Sequence, residues 1–304
     1  MEKRRIGSLE VSVVGLGCNN FGGRLDQAGT AKVLDAAIDA GINFFDTADI
    51  YGKTLSEQYM GAALGARRKS ILIATKFGIA LDEQRKGAKP EYVHKACDDS
   101  LKRLGIAHID LYQLHRPDPE TPISDTLAAL NGLVKAGKVR EIGCSNFSAE
   151  QLREAKAAVH QGAASFVSVQ NEYSLFHREP EAWILPECER EGIGFLPYFP
   201  LANGLLTGKY RKGEPLPDGR IKSNPQKAAQ LNEALFTKLD ALSAIAKKSG
   251  HTLLELAFGW LLAQKSVSSV IAGATSVEQV QANANASGWK LAPAELAAVD
   301  AALK

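Results

Sequence analysis

Residues 42–52 read Ile42-Asn43-Phe44-Phe45-Asp46-Thr47-Ala48-Asp49-Ile50-Tyr51-Gly52. The run Ile42–Phe45 has the apolar character of a strand covered on both faces, and it gives way to a polar turn. A helical pattern resumes near Ser56-Glu57. A strand therefore ends at Asp46, and the turn behind it carries Asp46 and Tyr51 to one end of that strand.

The same design recurs outward along the chain. Ile71–Thr75 reads as the next strand and leads into Lys76-Phe77-Gly78, while Asp110–Leu114 leads into His115-Arg116-Pro117. Further strands are expected at Val13–Gly17, Phe44–Asp46, Val139–Gly143, Phe166–Gln170, Gly194–Pro197 and Ser269–Ile271. Helical patterns lie between them. Ala31–Ala40 is stopped by Gly41 and Ser124–Ala136 by Gly137, and Ser148 with Gln151 matches a capping box. Strands alternating with helices imply parallel pairing through right-handed crossovers. A closed barrel and an open doubly wound sheet give a similar string, and periodicity leaves both standing.

Two stretches depart from the alternation. Residues 3–14 read as a hairpin capping one end, because Gly7-Ser8 separates two short extended runs. Leu201–Pro225 is rich in glycine and proline and reads as a long loop, which in compact domains is usually functional. Without a linker or repeat, one domain over residues 1–304 is the economical reading.

Composition narrows the function. Thirty-six basic against thirty-four acidic residues leave a formal charge of +2, without the clustered Lys and Arg of a nucleic-acid surface. Short basic groups such as Lys3-Arg4-Arg5 and Arg67-Arg68-Lys69 read as solvated surface. Cys18, Cys97, Cys144 and Cys188 are scattered, which suits a reduced, cytoplasmic protein, and the six histidines form no metal-type pair. Neither a signal peptide nor a membrane span is expected; Leu253–Ala263 reads as a buried helix.

Asp46, Tyr51, Lys76 and His115 each have an ordinary structural explanation: a helix cap, a half-buried aromatic, a snorkelling amine, a hydrogen-bonded imidazole. Together, at successive strand ends, they form a coherent proton-transfer set. A free phenol has a pKa of about 10. A nearby ammonium favours the phenolate, and a carboxylate keeps the ammonium charged and in place. Tyr51 would protonate a carbonyl oxygen as hydride reaches the carbon, with His115 hydrogen-bonded to the same oxygen.

At this point the chain resembles the aldo-keto reductase family. The resemblance is carried by FDTADIYG (45–52), TKFG (75–78), DLYQLHRP (110–117), REIGCSNF (140–147), VQNEY (169–173), YFPLANGLLTGKY (198–210) and Gly273-Ala274-Thr275 with Gln279 and Asn283. It implies a single (β/α)8 TIM barrel with an N-terminal β-hairpin cap and a long loop after strand 7. It also implies the tetrad Asp46, Tyr51, Lys76 and His115, and NADP(H) as cofactor, with NAD(H) as the other possibility.

Gly15-Leu16-Gly17 is no dinucleotide fingerprint, because Asn20 stands where the third glycine belongs. The resemblance instead implies an extended nicotinamide dinucleotide across the barrel mouth. Ser145, Asn146 and Gln170 match positions that bind its carboxamide, with Asp46 adjacent, and Tyr198 matches the aromatic that stacks on its ring. By the same resemblance Asn19 would approach the ring side. Pro200 and Leu201 would pass the pyrophosphate, Lys209 and Arg220 would supply positive charge, and Gly273, Thr275, Gln279 and Asn283 match the segment that holds the adenosine end. A helix starting near Ser276 would add its free N–H groups. Phe199 and Ala272 depart from the serine and proline common in the family. The absence of a basic residue in 273–283 weakens the case for a 2′-phosphate.

The activity implied is reduction of a small-molecule carbonyl or sugar substrate, or the reverse oxidation. The competing implication is a non-catalytic NADP(H)-binding regulatory subunit related to potassium-channel beta subunits. The intact His115 argues for catalysis, as does the lack of a basic or hydrophobic N-terminal extension. Phe21, Ile50, Phe77 and Phe199 are candidates for the pocket wall.

Overall fold

The computed structural model describes residues 1–219, 221–229 and 231–304. Its strands are β1 (Lys3–Ile6), β2 (Leu9–Ser12), β3 (Val14–Gly17), β4 (Phe44–Asp46), β5 (Leu72–Phe77), β6 (Ile109–Leu114), β7 (Val139–Ser145), β8 (Phe166–Glu172), β9 (Gly194–Tyr198) and β10 (Val270–Gly273). The last eight are parallel, in the order β10-β3-β4-β5-β6-β7-β8-β9. Phe195 N donates to Ser266 O at 2.7 Å, and Ser268 N donates to Phe195 O at 2.9 Å. These bonds join β9 to the chain entering β10 and close the sheet. The fold is a (β/α)8 barrel, so the open sheet is excluded.

Side-chain alternation sorts each strand between two cores. Phe45, Ile73 and Tyr112 face outward and pack beneath the helices. Phe44, Ala74 and Leu111 face inward and join Leu196 and Ile271 in the barrel interior. The β1–β2 hairpin adds Ile6, Leu9 and Val11 to that interior cluster and so plugs its N-terminal end. Arg4 pins the hairpin, donating to Leu262 O at 2.7 Å and Val267 O at 2.5 Å. Arg68 likewise pairs with buried Asp110 at 2.8 Å. Arg4 and Arg68 are thus structural anchors, which corrects their reading as solvated surface.

The expected helices form, with ends set by local chemistry. The helix Gln27–Asp39 stops before Gly41, and Ser148 closes its capping box with Gln151 at the start of Ala149–Ala157. After β9 the long segment holds a 3-10 turn, Ala202–Thr207, and a short helix, Pro225–Ala229, before the helix Glu233–Lys248. Among the described residues no helix is long and apolar enough to cross a membrane.

Candidate active site

Continuing the alternation by one step moves the inward positions from apolar to polar. Asp46 stands two residues after Phe44, Lys76 two after Ala74 and Gln113 two after Leu111, so all three enter the barrel above its apolar plug. Lys76 Nζ lies 2.7 Å from Asp46 Oδ2 and donates to Thr47 O at 2.9 Å. Asp46 Oδ1 accepts from Gln113 Nε2 at 3.2 Å and from Gln170 Nε2 at 3.0 Å. Lys76 is fully buried and Asp46 is 3% exposed. An ion pair withdrawn this far from water holds only when its remaining lone pairs are satisfied, and the two glutamines do that. Gln113 is a member of the site that the sequence reading missed; its place two residues beyond an inward leucine was the available signal.

The turn after β4 sets Tyr51 over this pair. Gly52, Lys53 and Thr54 all have positive φ, from 55° to 76°. A Cβ on Gly52 would come within 2.5 Å of Phe21 O, so only glycine fits there. Lys76 Nζ sits 5.1 Å from the centroid of the Tyr51 ring, and the His115 ring meets Tyr51 edge-on at 5.8 Å. The structure thus brings Asp46, Tyr51, Lys76 and His115 together.

The electrostatics are less simple than the residues alone imply. Burial raises the Tyr51 phenol above its ordinary value, and the charge and hydrogen bond of Lys76 pull it down only in part. The expected net lowering is therefore corrected: desolvation outweighs the ammonium, and the phenol stays protonated at neutral pH. Burial pulls Lys76 down, but Asp46 and then Tyr51 outweigh it, so the ammonium is held above its ordinary value and stays charged. Burial, with Lys76 and Arg116, pushes His115 down to about 2, so it is a neutral imidazole. Its Nδ1 is buried without a protein partner.

Above the four residues lies a cleft of about 650 Å³. Asp46, Tyr51 and His115 are in its floor, with Lys76 beneath. Ser145 ends β7 and Gln170 lies in β8; Ser145 Oγ donates to Gln170 O at 2.7 Å. Asn146, at φ 61°, donates to His115 O at 2.9 Å and accepts from Tyr198 Oη at 2.8 Å. Ser145, Asn146, Gln170 and Tyr198 form one wall. Pro200, Leu201 and Lys209 come from the segment after β9, and Asn19 from that after β3. Gly273, Thr275, Gln279 and Asn283 close the far end, where Ser276 caps the helix Val277–Asn285. Arg220 lies outside the described residues. Phe199 lines the cleft at φ 50°, whereas Phe21 and Phe77 are in the core and Ile50 is not in the cleft wall.

Arg24, Ile79 and Arg116 also line the cleft and were missed, because loop positions follow no periodicity. β3, β4 and β6 end where the sequence places them, whereas β5, β7, β8, β9 and β10 run one or two residues further at their C-terminal ends. In β5, β7, β8 and β9 the added residues include Lys76, Ser145, Asn171, Glu172 and Tyr198, and polarity there reads as loop.

Behind the Tyr51 turn lies a second buried acidic group. Asp49 is 1% exposed, and neither carboxyl oxygen has a well-aligned donor. Glu57 beside it is occupied by Thr75 Oγ1 and Arg103 Nε, each at 2.6 Å. Burial first and Glu57 second raise Asp49 to about 7; Arg103 and Lys76 oppose this. A carboxyl whose folded pKa exceeds its unfolded value binds a proton on folding, so wild-type stability falls as pH rises through the interval from 3.8 to about 7. Asp49→Asn removes that loss. Its gain in stability over wild type should be near zero at pH 4, grow up to pH 7 and level off above, with an upper limit of about 4 kcal/mol, and Tm should follow the same profile. Thermal melts across this range check it; a gain independent of pH would show that Asp49 does not titrate there.

A model of the Aldo/keto reductase family matches residues 13–304. The chain is 36% identical over 296 residues to a probable aldo-keto reductase 1 of Glycine max, covering 95% of this chain and 84% of that protein. It is 36% identical over 298 residues to a probable voltage-gated potassium channel subunit beta of Arabidopsis thaliana, covering 94% and 91%. Among solved structures, the glycerol dehydrogenase AKR11B4 from Gluconobacter oxydans superposes with a TM-score of 0.87 at 32% identity, covering 99% of this chain and 94% of that one. The holo form of the aldo-keto reductase AKR11C1 from Bacillus halodurans gives 0.84 at 32% identity, covering 100% and 97%.

Proposed function

The chain belongs to the aldo/keto reductase family, a family of oxidoreductases, and from that premise we propose that it reduces an aldehyde or ketone to an alcohol with NADPH, or runs the reverse. The observation that carries this reading is the buried Asp46–Lys76 pair under Tyr51, with the His115 ring edge-on to the phenol at the floor of one cleft.

A reduced nicotinamide, when bound, would supply the hydride, two electrons with one proton. Tyr51 Oη would supply the second proton to the carbonyl oxygen, so that C=O becomes CH–OH. The phenol is protonated at rest, which is the state that donation requires. Lys76 offsets the phenolate left behind, and Asp46 holds Lys76 charged. Neutral His115 hydrogen-bonds the carbonyl oxygen and sets its direction.

The cleft suits an extended dinucleotide. Gly273 lines the cleft as bare backbone, and a Cβ there would crowd Asn20 Nδ2 at 3.2 Å. Ser145, Asn146 and Gln170 would hold the carboxamide, and Tyr198 the ring. Pro200, Leu201 and Lys209 would flank the phosphates. Gly273, Thr275, Gln279 and Asn283 would hold the adenosine end, where the helix capped by Ser276 adds a positive dipole. The four cysteines are free and buried, in keeping with a cytoplasmic setting.

The test is NADPH and NADH oxidation against a panel of aldehydes, ketones and sugars, alongside fluorescence titration of each dinucleotide. Turnover with tighter NADPH than NADH binding is expected. Tight binding with no turnover across the panel would favour the regulatory-subunit reading, which the potassium-channel relative keeps in view.

A further inference from the structure

Three cations line the cleft among the described residues, and they fall into two places. Arg24 follows β3 and Lys209 follows β9, flanking β10 in the barrel order. They lie close enough that, after burial, Arg24 is the chief influence holding the Lys209 ammonium down. Both face the arc where the dinucleotide phosphates would run.

Arg116 stands apart. It follows β6, across the mouth, and its charge acts on His115 and Tyr198, while Lys209 senses Arg24 and Asp218 instead. Arg116 is exposed and enters none of the ion pairs or side-chain hydrogen bonds among the described residues. Ile79, which lines the same cleft, is apolar. A guanidinium adjoining the imidazole that would take the carbonyl oxygen, with its five donors uncommitted, is poised for a planar anion.

We propose that Arg116 binds an anionic group of the substrate, a carboxylate or phosphate carried a few carbons from the carbonyl. The inference rests on the reductase reading and narrows it to ω-anionic aldehydes and ketones. The anion pairs with Arg116 while Tyr51 and His115 hold the carbonyl oxygen, so the cation fixes which end of the molecule enters first. A charge-assisted hydrogen bond of this kind is worth about ten- to a hundredfold in kcat/KM.

The test compares matched pairs with the dinucleotide-loaded protein: 4-oxobutanoate against butanal, and glyceraldehyde 3-phosphate against glyceraldehyde. Wild type should favour the anionic member at least about tenfold. Arg116→Gln should erase that ratio, and Arg116→Lys should retain part of it. The pair with the larger ratio identifies carboxylate or phosphate. A ratio near one in wild type, or one that survives Arg116→Gln, overturns the proposal.

A second readout needs no turnover. Succinate and inorganic phosphate are titrated calorimetrically into protein loaded with oxidised dinucleotide, in wild type and Arg116→Gln. Binding of one of them, lost in the variant, upholds the anion site even if no carbonyl is reduced, in which case only the reductase reading fails. Absence of binding in wild type overturns the anion site while leaving any reductase activity intact.

Discussion

Tyr51→Phe should lower kcat by about a thousandfold or more while dinucleotide affinity stays within a few-fold of wild type. The substitution deletes one hydroxyl and keeps the ring that packs edge-on against His115 at 5.8 Å and lies 5.1 Å from Lys76 Nζ. No neighbour can take over as acid. His115, pushed down to about 2, carries no transferable proton at neutral pH, and Lys76 is committed to Asp46 and Thr47 O. Steady-state kinetics with fluorescence titration check this. Near-normal turnover would reject Tyr51 as the proton donor and with it the proposed mechanism.

Lys76→Met should damage both stability and turnover. It leaves the Asp46 carboxylate, 3% exposed, with two glutamine amides and no counter-charge. Breaking a buried pair by removing one partner costs about 3–5 kcal/mol, a large part of the roughly 5–15 kcal/mol that holds a typical protein folded. Adding Asp46→Asn should recover most of the lost Tm, because the orphaned charge disappears while the amide partners remain. It should not recover turnover: the phenol, already raised by burial, then lacks the one cation that offsets its phenolate. Calorimetry and kinetics on the single and double variants separate the two effects. A double variant as unstable as Lys76→Met would mean that the packing of the lysine stem, and not the bare carboxylate, sets the cost.

Much of this arrangement was readable along the chain, and the reasons are local. Phe44–Asp46 announces a strand by its apolar run, Ser148 with Gln151 announces a helix start by its capping box, and Gly41 and Gly137 announce stops. Each signal acts within a few residues and needs no partner from elsewhere. Gln113 is as readable as Lys76, its register partner, once alternation is followed past the apolar layer, but the sequence places it inside the strand expected over 110–114 and Lys76 just beyond the one expected over 71–75. Arg24 and Arg116 had no such signal, since loop residues are placed by what they pack against.

By itself, then, the order of residues determined the alternating strands and helices, their caps, and the delivery of Asp46, Tyr51, Lys76 and His115 to one end of neighbouring strands. Closure of the sheet was decided only in three dimensions, by bonds between Phe195 and residues 266–268, some seventy positions apart in the chain. So was the protonation of the site: Tyr51 and His115 owe their shifts first to burial, and burial is a property of everything packed around a group. A linear sequence names the charges near one another, but the assembled barrel sets how much water they lose, and that loss governs the proton.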